Sequence, residues 1–81
     1  MSRALIVDDS KFMRKIIADI LITGGHTVEG EADNGQDGVE LYEQLKPDFI
    51  TMDITMGGKD GINAVREIKA RHPESKILVV S

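Results

Sequence analysis

The chain of 81 residues has room for one domain and no second core. Fourteen acidic against ten basic residues set the net charge at −4, and only three residues are aromatic. This excludes the basic, stacking-rich face of a nucleic-acid binder, and the lack of cysteine excludes disulfides and thiolate metal sites.

Arg3 to Val7 is a short apolar run that ends abruptly at Asp8-Asp9, the pattern of a strand buried on both faces. From Ser10 the period changes. Phe12, Met13, Ile16, Ile17, Ile20 and Leu21 form one apolar helical stripe, with Lys11, Arg14, Lys15 and Asp19 on the other faces. Ser10 or Asp9 can cap this helix, and Gly24-Gly25 stops it. Thr27 to Ala32 alternates Val28, Gly30 and Ala32 with Glu29 and Glu31, which predicts a half-exposed strand at a sheet edge.

A second helix is expected from about Gly35 to Leu45, anchored by Val39, Leu41, Tyr42 and Leu45. Its early glycines, Gly35 and Gly38, weaken it, and Asn34-Gly35 also suits a hairpin turn, but the spacing that follows is helical. Pro47 prevents its extension, and Phe49 to Met52 predicts a buried strand ending at Asp53. After the loop Met56-Gly57-Gly58-Lys59-Asp60-Gly61, a third helix is anchored by Ile62, Val65 and Ile68 and ends before Pro73. Lys76 to Val80 is the last strand. The order βαβαβαβ implies an α/β fold with a parallel sheet, right-handed crossovers and helices on both faces.

In such sheets ligands bind beyond the carboxyl ends of the strands. If the first and third strands are neighbours, Asp8, Asp9 and Asp53 meet at one mouth. Each carboxylate then disfavours ionisation of the others unless a cation compensates. Hard oxygen donors without nearby histidine or cysteine suit Mg²⁺ or Mn²⁺. A plainer reading stays open beside it: Asp9 and Ser10 are ordinary helix caps, and an aspartate before a glycine loop is an ordinary turn former.

The stretches Leu5-Ile6-Val7-Asp8-Asp9-Ser10, Gly30-Glu31-Ala32-Asp33-Asn34-Gly35 and Pro47 through Met56 closely resemble response-regulator receiver domains. Lys11-Phe12-Met13-Arg14 and Thr51 to Met56 look most like the chemotaxis, CheY-like branch, and the resemblance spans the whole chain. It implies a flavodoxin-like, doubly wound parallel sheet and a phosphorylation switch in a two-component system. Asp53 would be the phosphoacceptor, taking a phosphoryl group from the histidine of a sensor kinase or from an acyl phosphate. Asp8, Asp9, Asp53 and the backbone carbonyl of Thr55 would hold the metal, and Ser81 would be the switch hydroxyl.

The sequence departs from the family's pattern in two ways. Met56-Gly57 stands where the family usually has Met-Pro, so that loop is expected to be looser. The family continues through a further helix, a strand bearing a lysine, and a last helix, so residues 1–81 read as a receiver truncated after its fourth strand. Impaired signalling is expected, with the terminal carboxylate close to the incoming phosphate. Ile77 to Val80 would form an open apolar edge, which predicts homo-oligomers through the last strand. The alternative is a non-signalling structural fragment that folds by self-association.

An Mg-dependent phosphatase is a weaker reading, because Thr55 stands where such an enzyme would want a second acid. His26 and His72, and the cations Lys11, Arg14 and Lys15, are expected to be solvated. No uninterrupted apolar run exceeds four residues, so no membrane span is expected. The N-terminus shows no leader, which predicts a cytoplasmic protein.

Overall fold

The structure, a computed structural model, describes residues 1–57 and 60–80. In chain order it forms β1 (Arg3–Val7), α1 (Lys11–Thr23), β2 (Thr27–Ala32), α2 (Gly35–Leu45), β3 (Phe49–Asp53), α3 (Asp60–Arg71) and β4 (Ile77–Val80). The four strands make one parallel sheet in the order β2-β1-β3-β4. β1 lies at its centre, with Val7 opposite Ala32 on one side and opposite Met52 on the other. The chain steps from β1 to one neighbour and then crosses back to the other. Right-handed crossovers therefore place α1 on one face and α2 and α3 together on the opposite face.

The main core lies beneath α2 and α3. Leu5, Val7, Ile50 and Met52 meet Val39 and Tyr42 of α2 and Ala64 and Ile68 of α3. Leu5, Ile6 and Ile50 are completely buried, and each such side chain is worth about 1.5–3 kcal/mol. Buried on both faces, β1 and β3 need no polar alternation, which is why they read as continuous apolar runs. Edge strand β2 keeps its alternation, with Glu29 and Glu31 exposed.

The glycines that weaken α2 as a sequence pattern are explained by close packing. A Cβ on Gly38 would lie 2.8 Å from Val7 Cγ2, so only glycine lets α2 rest on the end of β1. Asn34 caps the helix by accepting from the Asp37 amide at 2.8 Å, which settles the turn-or-helix ambiguity. Lys46 closes it in the left-handed region at φ 46°.

Several expectations need correction. The α1 stripe is not wholly buried: Phe12 and Ile20 are 73% and 64% exposed, because α1 packs on β1 and β2 without a neighbouring helix among the described residues. In α3 the buried face is Gly61, Ala64 and Ile68, with Ile62 at its rim. β4 begins at Ile77, although the Lys76 carbonyl already accepts from Ile50 N at 3.0 Å.

Neither histidine is simply solvated. His26 Nδ1 accepts from Ser2 N at 3.3 Å, and its ring meets Phe49 edge-on at 5.5 Å. His72 Nε2 lies 2.7 Å from Glu43 Oε1, joining α2 to the end of α3. That hydrogen bond, aided by Lys46, holds the Glu43 carboxyl below its ordinary value. Among the described residues no helix is long and apolar enough to cross a membrane.

Candidate functional site: an acidic mouth at the strand ends

The chain reverses its direction of travel across the sheet between β1 and β3, and a crevice opens there beyond the strand ends. The rule that ligands bind at this point was drawn partly from sheets of this strand order, so its agreement is not independent. Because Val7 pairs with Met52, the residues that follow, Asp8 and Asp53, emerge side by side. Asp8, Asp9 and Asp53 each offer a carboxylate oxygen, and these oxygens lie within 4.8 Å of one another. Asp8 and Asp53 are buried, whereas Asp9 is exposed.

Three carboxylates this close, two of them out of water, repel one another strongly unless positive charge sits among them. All the side-chain donors are hard oxygens, which fits Mg²⁺ or Mn²⁺ and not a softer ion. The convergence inferred from sequence is therefore present in the structure.

Each carboxylate is oriented by its own turn. Asp8 Oδ1 accepts from the Ser10 amide at 2.8 Å, and Ser10 Oγ in turn caps α1 by accepting from Met13 N at 3.2 Å. The cap is thus Ser10, which leaves Asp9 free of that duty. Asp53 Oδ1 accepts from both the amide and the hydroxyl of Thr55, at 2.8 and 2.6 Å. Gly61, in the first turn of α3, lies so close to the Asp53 carbonyl that no side chain fits between them. Asp60 Oδ2 accepts from Gly35 N at 2.6 Å, tying the start of α3 to the start of α2. Gly57 is exposed, and a Cβ there would meet nothing within 4 Å among the described residues. Ser81, Gly58 and Lys59 lie outside the described residues.

The expectation that Arg14 belongs to a solvated helix face is wrong. Lys11 and Lys15 are exposed, but the Arg14 side chain is only 16% exposed. Its Nη1 donates to the Asp8 carbonyl at 2.7 Å, and its Nε donates to Glu31 Oε1 of β2 at 3.1 Å. Spacing along α1 could not reveal this. The contact depends on β2 lying beside β1, and the acids of that edge strand, Glu29 and Glu31, gave no sign of which one it would involve. The Thr55 hydroxyl is the other contributor that sequence reasoning missed, having singled out only its carbonyl.

The family model of the response regulator receiver domain matches residues 4–81. The chain is 52% identical over 79 residues to the chemotaxis protein CheY of Thermotoga maritima, covering 98% of this chain and 66% of that protein. It is 49% identical to CheY of Bacillus subtilis over the same shares. It thus spans 66% of the length of these curated relatives.

Among solved structures, the response regulator domain of Thermotoga maritima CheB aligns with a TM-score of 0.88 at 42% identity, covering 98% of this chain and 59% of that one. A chain of the CheX-CheY-BeF3-Mg+2 complex from Borrelia burgdorferi aligns with a TM-score of 0.90 at 30% identity, covering 95% and 59%.

Proposed function

The chain belongs to the response regulator receiver domain family, and from that premise we propose that it is a phosphoacceptor of a chemotaxis-type two-component system, modified on Asp53. The observation that carries this reading is the convergence of Asp8, Asp9 and Asp53 at the switch point, with Asp53 gripped, among the described residues, through one oxygen. The relative crystallised as a CheX-CheY-BeF3-Mg+2 complex supports it, since that complex contains both a phosphoryl mimic and the metal.

The chemistry follows from the arrangement. Thr55 occupies Oδ1 of Asp53 with two donors, so Oδ2 is the oxygen left to attack phosphorus. The new Oδ2–P bond forms as the P–N bond of a phosphohistidine, or the P–O bond of an acyl phosphate, breaks. The bonding pair leaves with the donor, so this chain needs no general acid of its own for an acyl phosphate. Asp8 and Asp9, with Asp53 and the Thr55 carbonyl, would hold the metal, which when bound neutralises charge on the phosphoryl oxygens. Ser10 and Thr55 keep the carboxylates pre-aimed, so little reorganisation is left for the reaction itself.

The partner in this reading is a sensor histidine kinase acting as phosphodonor, in the cytoplasm. The chain is then a substrate of the kinase and not an enzyme towards other molecules. Residues 1–81 belong to one receiver unit, the first four strands of the fold, in which Ser81 would be the switch hydroxyl. Incubation with Mg²⁺ and acetyl phosphate should add one phosphoryl group by mass, and Asp53→Asn should abolish it. A wild-type chain that binds Mg²⁺ yet never gains the phosphoryl mass would overturn the reading.

A second reading is favoured by β4, where Leu78 and Val79 are 57% and 52% exposed. In it the chain self-associates through this strand, and assembly rather than signalling is its main behaviour.

A further inference from the structure

Asp8 is held at more points than its side chain alone requires. Its amide donates to the Ala32 carbonyl at 3.0 Å, its Oδ1 accepts from Ser10 N, and its carbonyl accepts from Arg14. The first two bonds come from backbone groups. The third comes from a side chain that has reached back over the first turn of α1, the direction in which helical side chains naturally lean. Arg14 is itself fixed by Glu31, so the guanidinium joins β2, the start of α1 and the acidic turn. Arginine suits this place because its planar fork can serve two acceptors at once, one through Nη1 and one through Nε.

We propose that Arg14, backed by Glu31, is a positioning residue for the cation: it pins the Asp8-Asp9 turn so that both carboxylates face Asp53. This rests on the reading of those three aspartates as metal ligands. Arg14 touches no ligand atom and acts through the Asp8 backbone. The alternative is purely electrostatic, and the two have opposite signs. A fixed positive charge beside the mouth repels a dication, so by Coulomb's law alone removing Arg14 tightens binding. If Arg14 positions the turn, removing it loosens binding, by about tenfold or more, the usual range for groups that orient metal ligands.

The test is calorimetric titration of the whole chain with Mg²⁺, and separately with Mn²⁺, alongside a circular-dichroism melt of each variant. Arg14→Met should bind about tenfold more weakly, and the charge-balanced pair Arg14→Met with Glu31→Gln should stay weak. Arg14→Lys keeps the charge but cannot serve both acceptors, and should fall about threefold or more below wild type. Affinity in folded Arg14→Met equal to or tighter than wild type overturns the inference.

If Arg14→Met fails to fold, Arg14→Lys decides, because charge alone predicts no change for it. A wild-type chain whose Mg²⁺ binding does not depend on Asp53 overturns the metal reading and this inference together. A wild-type chain that binds through Asp53, with Arg14 variants indistinguishable from it, overturns the inference alone.

Discussion

Thr55 grips Asp53 through a single oxygen, its amide and its hydroxyl both donating to Oδ1. Two donors on one oxygen fix the plane of the carboxylate and make the other oxygen the reactive one. Thr55→Val keeps the branched shape and the amide donor but deletes the hydroxyl. Losing one such bond at an exposed residue is worth about 1 kcal/mol, so phosphorylation of Asp53 by acetyl phosphate should slow about fivefold. Thr55→Ser should restore most of the rate. Initial rates by intact-mass spectrometry check this, and an unchanged rate in Thr55→Val would show that the hydroxyl does not aim the nucleophile.

Gly61 predicts a case in which helix propensity gives the wrong sign. Alanine inside a helix normally gains up to about 1 kcal/mol over glycine. At Gly61 the added carbon would strike the Asp53 carbonyl and lie 2.9 Å from Ile54 Cα, and neither neighbour can rotate aside as a side chain would. Gly61→Ala should therefore lose about 1–3 kcal/mol, with a fall in Tm of about 4–8 °C per kcal/mol for a domain of this size. Gly57→Ala is the control, because a Cβ there meets nothing among the described residues. Urea and thermal unfolding should show a clear loss for Gly61→Ala and little change for Gly57→Ala.

These two sites also mark how far the sequence could be read. β1, β2, α1 and β3 announce themselves because burial on one or both faces imposes a period that survives in the residue order. The convergence of Asp8 and Asp53 was legible for the same reason: strand ends are visible, and parallel topology puts them together. Arg14 was not legible, since it sits in a helical pattern like any solvated cation. What sets it apart is a bond to a backbone carbonyl and another to a strand distant in sequence. Phe12 and Ile20 misled in the opposite sense. An apolar period shows that a helix has an apolar side, but not whether a neighbour covers all of it.

The exposed apolar pair on β4 gives the self-association reading its test. Leu78 and Val79 point to opposite sides of the strand, and each leaves more than half its surface in water. A strand edge with such residues invites pairing, and a lysine is the usual deterrent. Leu78→Lys should shift the sedimenting species toward monomer at tens of micromolar while leaving the circular-dichroism spectrum unchanged, because position 78 contributes little to the core. A wild-type chain that sediments as a folded monomer at that concentration would remove the reading.

Glu43 supplies the pH dependence. Its carboxyl is held below the ordinary value of 4.5 by the hydrogen bond with His72 first and by Lys46 second, against a smaller opposing effect of desolvation. A carboxyl whose folded value is depressed stabilises the fold fully above its ordinary value. That contribution is lost as pH falls through the lowered folded value. Glu43→Gln should therefore be less stable than wild type at pH 7, and the gap should close in acid, below the ordinary carboxylate range. The ion pairs of Glu43 with Lys46 and Arg71 are solvent-exposed, so added salt should narrow the gap at pH 7 as well. Urea midpoints of the two chains from pH 7 to pH 3 measure it. A gap that stays constant over that span would mean that the charge on Glu43 adds nothing to the stability of the fold.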